Sequence, residues 1–70
     1  SEDTIQIKQG SGTAVIVDDV LATGGTLQAT NHLAKSAGYD VIDNLVLIDL
    51  KYVPRVEDFN LEVRSLIQYD

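Results

Sequence analysis

Seventy residues bound this chain to one domain at most, with a net charge of −6, a 44% hydrophobic fraction and no cysteine, methionine or tryptophan. The lack of cysteine excludes disulfide and thiolate–metal scaffolds and suits a reducing compartment, while the acidity argues against broad nucleic-acid or membrane-surface binding, which needs a basic patch. No apolar run approaches the ~20 residues of a membrane span, and no signal-peptide pattern opens the chain.

In chain order, "TIQIK" (4–8) alternates apolar and polar residues and predicts a short, half-exposed strand. "QGSGT" (9–13) has turn composition. "AVIV" (14–17) is continuously apolar and β-branched, which predicts a strand covered on both faces, as in a parallel sheet. A helix is predicted over about 26–37, with Leu27, Thr30, Leu33, Ala34 and Ala37 on its apolar face. Gln28, Asn31, His32 and Lys35 fall on the polar side, and Gly38 is placed to end the helix in the left-handed conformation. "NLVLIDL" (44–50) is a second buried strand, which completes a βαβ unit expected to be right-handed. "KYVPRVEDFN" (51–60) reads as a loop, and "EVRSLIQY" (62–69) as a weaker strand at an edge. Such strongly buried strand patterns, with so little chain to cover them, read as part of a larger α/β domain.

The chemistry concentrates in "VIVDDVLATGGTLQA" (15–29), where a buried strand ends in two acids and a glycine-rich turn opens a helix. The first helical turn leaves backbone N–H groups without internal partners, at the positive end of the macrodipole. Gly24 and Gly25 let those groups converge on one point, and Thr23 and Thr26 add hydroxyls, so that the turn forms an anion cradle without a lysine or arginine. It matches neither G-x-x-x-x-G-K-[ST] nor G-x-G-x-x-G, and taken alone "GGT" is equally compatible with a plain turn and helix cap. Asp18 and Asp19 sit at the carboxyl end of the strand, where open α/β sheets place their ligand crevices. As strand neighbours they are expected to point to opposite faces and to flank a ligand, accepting from its hydroxyls. Acids, spacer and anion loop in that order suit a molecule with a diol at one end and a phosphate at the other, such as ribose 5-phosphate.

Other polar residues offer less. His32 has no acid or nucleophile at a partner spacing and reads as a solvated helix residue. Asp40, Asp43 and Asp49 are metal ligands only in principle; Asp49 interrupts an aliphatic strand, which a loop-end or edge position explains. Glu57 and Asp58 near Arg55 read as a solvated loop. No serine or threonine has a histidine and an acid at triad spacing.

"VIVDDVLATGGT" resembles the phosphoribosyl-pyrophosphate motif of type I phosphoribosyltransferases, and "DDVLATGGT", with Ala22 before the threonine, is especially similar to the adenine branch. "TIQIKQ", "LVLIDL" and "VRSLIQYD" resemble the family's flanking strands and C-terminal ending, so the resemblance spans nearly the whole chain, least well over 52–60. It implies the C-terminal part of a parallel-sheet, Rossmann-like α/β domain in the order strand, strand, helix, strand, strand. It further implies that Asp18 and Asp19 hold the ribose 2′- and 3′-hydroxyls and that Ala22, Thr23, Gly24, Gly25 and Thr26 wrap the 5′-phosphate. Val20 would lie beside the purine, and Leu21 would pack behind the loop.

The implied reaction converts adenine and phosphoribosyl pyrophosphate to AMP and pyrophosphate, with Mg²⁺ arriving on the pyrophosphate. A cytoplasmic homodimer is expected, completed by the rest of the phosphoribosyltransferase chain and without nucleic-acid or membrane partners. The base-contacting part, the pyrophosphate loop and the mobile loop bearing a catalytic glutamate precede the motif in the family. "SEDT" (1–4) resembles the tail of that mobile loop; no catalytic residue is assigned in this chain, Glu2 included, and the 70 residues alone are expected to be inactive. The basic "KGR"-like segment common after the last acidic strand is replaced by "KYVPRVED". A phosphoribosyl-pyrophosphate-sensing regulator without catalysis, or a transferase for another base, is the alternative.

Overall fold

The computed structural model describes residues 10–70. The strand expected at 4–8 and Glu2 lie outside the described residues. Three strands and one helix follow in the order β1 (Gly12–Leu21), α1 (Gly25–Ser36), β2 (Tyr39–Leu50) and β3 (Arg64–Tyr69). The strands form one sheet in the order β1-β2-β3, parallel throughout, and α1 makes the crossover between β1 and β2. The chain is therefore α/β with a parallel sheet, as its sequence predicts, and β3 is an edge strand of the described sheet.

β2 is five residues longer at its start than the apolar run suggests. Its pairing with β1 passes from Ala14↔Val41 to Val15↔Asp43, which leaves Ile42 as an extra, bulged residue. A bulge shifts the inside–outside alternation by one. Tyr39 and Val41 thus face the core before it, and Asn44 and Val46 after it. No single period runs through the strand, which conceals its first half in the sequence.

The core lies on the helix-covered face of the sheet. Ile16, Leu21, Leu27, Ala34 and Val46 are buried together, with Phe59, Leu61 and Val63 of the β2–β3 connection packed against them. The other face is open among the described residues: Val17, Leu45, Leu47 and Leu66 border a shared apolar groove, and Val17 is 71% exposed. Among the described residues, only the helix side of "AVIV" is covered.

The helix also departs from its predicted faces. Asn31, expected on the polar side, is 3% exposed, whereas Leu33 is 46% exposed. The buried stripe is Leu27, Asn31 and Ala34, one narrow line at spacings of four and three. Asn31 is accommodated because its amide nitrogen donates to the Leu27 carbonyl at 2.9 Å and to Asn44 Oδ1 at 2.7 Å. Gly38 ends the helix at φ 105°, the left-handed region, as predicted. His32 is exposed.

Candidate phosphate-binding site

β1 does not stop at the acids. It continues to Leu21, so Asp18 and Asp19 belong to its last turn of pleat, at the edge where all three strands end. Asp18 is half-buried and Asp19 exposed. Asp18 Oδ1 accepts from the Asp19 N–H at 2.8 Å, and Asp19 Oδ1 accepts from the Val20 N–H at 2.8 Å. The carboxyl of Asp19 is held below its ordinary value, first by a side-chain hydrogen bond with Asp18 and next by the Val20 N–H. The two acids are therefore a linked pair near the end of β1.

A cleft of about 210 Å³ opens beside this pair, lined by Asp18, Val20, Leu21, Ala22, Thr23, Gly24, Thr26 and Leu27. The structure thus brings six of the eight residues singled out from the sequence to one cleft; Asp19, linked to Asp18, and Gly25, the first helical residue, do not line it. Leu21 is buried under the turn at 3% exposure.

The turn itself depends on one glycine, not two. Gly24 sits at φ 87°, ψ −2° and caps the helix. A Cβ there would also stand 2.5 Å from the Phe59 ring. Gly25 has no such constraint, since a Cβ would meet Thr23 Oγ1 and Val56 Cγ1 at an ordinary 3.7 Å. Thr23 Oγ1 accepts from the Gly25 N–H at 3.3 Å, so this hydroxyl oxygen already satisfies one of the first orphan donors of the helix. Among the described residues, no carbonyl accepts from the N–H of Thr23 or Gly24.

Sequence inspection missed what holds the turn from behind. Asp49, expected at a loop end or an edge, is on the central strand and 6% exposed. It pairs with the Arg55 guanidinium, and Lys51 Nζ lies 3.9 Å from its other oxygen. Arg55, expected in a solvated loop, folds inward. Its Nη1 donates to the carbonyls of Ala22 at 2.6 Å, Leu50 at 3.2 Å and Val53 at 3.3 Å, and its guanidinium lies 5.8 Å from the centre of the Phe59 ring. The Val56 N–H donates to the Thr23 carbonyl at 2.7 Å. The available signal was an acid inside an aliphatic strand with a lone arginine six residues later. Glu57 and Asp58 are exposed as expected, and Asp43 pairs with Arg64 at 3.0 Å rather than standing as a free ligand.

A parallel sheet, a crossover helix and a glycine turn opening at the carboxyl edge form the architecture with which α/β proteins receive phosphate-bearing ligands. Residues 6–65 match the family model described as the phosphoribosyl transferase domain, and the chain belongs to that family. It is 48% identical over 65 residues to an adenine phosphoribosyltransferase of Bdellovibrio bacteriovorus, covering 93% of this chain and 39% of that protein. It is 39% identical over 69 residues to an adenine phosphoribosyltransferase of Hydrogenovibrio crunogenus, covering 97% and 40%. With that of a Picosynechococcus species it shares 47% over 74 residues, covering 96% and 42%. The chain spans about two fifths of the length of these curated relatives. No solved structure matches it.

Proposed function

We propose that this chain supplies the ribose-5-phosphate-binding segment of an adenine phosphoribosyltransferase, which converts adenine and phosphoribosyl pyrophosphate to AMP and pyrophosphate. The carrying observation is the cleft in which Asp18 and the turn of Ala22, Thr23, Gly24 and Thr26 meet at a helix start. Backbone donors of residues 22–26 take the 5′-phosphate, with the helix macrodipole behind them. Asp18 and Asp19 accept from the ribose 2′- and 3′-hydroxyls. The lowered pKa of Asp19 keeps that carboxyl anionic, which suits both acceptance from a diol and stabilisation of a ribose ring turning oxocarbenium-like as pyrophosphate leaves. Val20, 39% exposed at the cleft, lies beside the purine. Holding the sugar by both ends contributes mainly through positioning.

Mg²⁺ belongs with the pyrophosphate. Among the described residues no three histidine, cysteine, aspartate or glutamate side chains converge. The chain offers a carboxylate dyad, a donor set that fits an ion coordinated chiefly by phosphate oxygens and water. When bound, the ion neutralises charge on the leaving group. The remainder of a phosphoribosyltransferase chain completes the site, and a cytoplasmic homodimer is the assembly we propose.

Calorimetry of the protein carrying this chain against AMP, GMP, orotidylate and uridylate tests the assignment. AMP is expected to bind tightest. Tighter binding of another nucleotide overturns the adenine specificity, and equal affinity for AMP and adenosine overturns the phosphate cradle.

A further inference from the structure

The cleft contains no residue of the 51–63 connection, yet that connection makes three contacts with the turn that lines it. Arg55 Nη1 donates to the Ala22 carbonyl, the Val56 N–H to the Thr23 carbonyl, and the Phe59 ring fills the space a Cβ on Gly24 would take. A trans peptide unit is planar, with its N–H antiparallel to its C=O. Drawing the carbonyls of Ala22 and Thr23 toward the connection therefore turns the N–H groups of Thr23 and Gly24 the opposite way. Those are two donors for which no described carbonyl competes. Arg55 is itself fixed: the buried Asp49 carboxylate takes its Nη2, and the carbonyls of Leu50 and Val53 hold its Nη1. A cation on a peptide oxygen also polarises that unit and strengthens its N–H as a donor.

We propose that Arg55, anchored by Asp49, is a positioning residue that sets the peptide planes of the phosphate turn from behind. This rests on the phosphate role proposed above. Arg55 does not line the cleft, and its effect passes through the backbone of Ala22 and Thr23. A lysine at 55 keeps the charge opposite Asp49 but lacks the planar fork that spans a carboxylate and several carbonyls at once.

The test is the ratio of AMP to adenosine affinity, measured by calorimetry in the protein carrying this chain, for wild type, Arg55→Ala and Arg55→Lys. Loss of charge-assisted orientation is expected to lower AMP affinity roughly tenfold or more while adenosine affinity stays within about twofold. Arg55→Lys is expected to melt close to wild type and still lose most of that ratio. Amide NMR with inorganic phosphate supplies a second readout, with the Thr23 and Gly24 N–H signals shifting in wild type and not in Arg55→Lys. If wild type does not distinguish AMP from adenosine, the phosphate role itself fails. If wild type distinguishes them and folded Arg55→Lys retains the full ratio, Arg55 is only structural and the inference is overturned. Should Arg55→Ala not fold, the lysine variant decides alone.

Discussion

Two aspartate–arginine pairs join β2 to the chain that follows it, and they differ in nearly everything but chemistry. Asp43–Arg64 bridges β2 and the start of β3 at 3.0 Å, with the arginine side chain 78% exposed. Asp49–Arg55 lies at the other end of β2, with the arginine side chain 25% and the aspartate side chain 9% exposed, and the same guanidinium also serves three carbonyls. Exposed pairs gain little because water competes for both charges. A largely buried pair is different: removing one partner leaves a charge without solvent or counter-ion. The position of a pair, rather than its presence, decides whether it ties a loop down or decorates a surface.

The largest effect is expected where that buried pair is broken. Asp49→Ala should destabilise by about 3 kcal/mol in urea unfolding, since Arg55 then remains desolvated without its partner. Gly24→Ala should follow at about 2 kcal/mol, from the left-handed backbone and displacement of Phe59. Arg64→Ala should cost no more than about 0.5 kcal/mol, and a loss comparable to that of Asp49→Ala would erase the contrast between the pairs. Gly25→Ala should change stability by less than about 0.5 kcal/mol, or raise it slightly, because the first helical residue there has room for a methyl group.

Acid sharpens the comparison further. Asp19 has a folded-state pKa below its ordinary 3.8. Its contribution to stability is therefore complete above the unfolded value and is lost as pH falls through the lower folded value. Carboxyl-carbon NMR titration is expected to place its midpoint below 3.8. A midpoint above it would mean that Asp18 does not hydrogen-bond to it in solution.

The glycine turn, the helix that follows it and the buried strands were legible because each is local chemistry. Gly24 after a β-branched run and before a helical stripe can do little else, and the edge placement of β3 followed from its mixed polarity. Leu33 and Asn31 were exchanged because apolar residues at spacings of three and four suggest a broad apolar face, whereas α1 buries one line of residues. The start of β2 was hidden by the bulge at Ile42, which breaks the alternation that identifies strands. Two-sided burial of β1 was inferred from composition, which reports that a surface is apolar and not what lies against it.

By itself the sequence determined the α/β class, the βαβ order and the place where acids and orphan helix donors meet, because those depend on neighbours within a few residues. Only the tertiary structure decided that Asp18 and Asp19 are linked, that Gly24 rather than Gly25 carries the strained backbone, and that Arg55 reaches 33 residues back along the chain to the Ala22 carbonyl. A contact across that separation is set by the register of parallel strands and the path of the connection between them, and neither leaves a periodic trace in the order of residues.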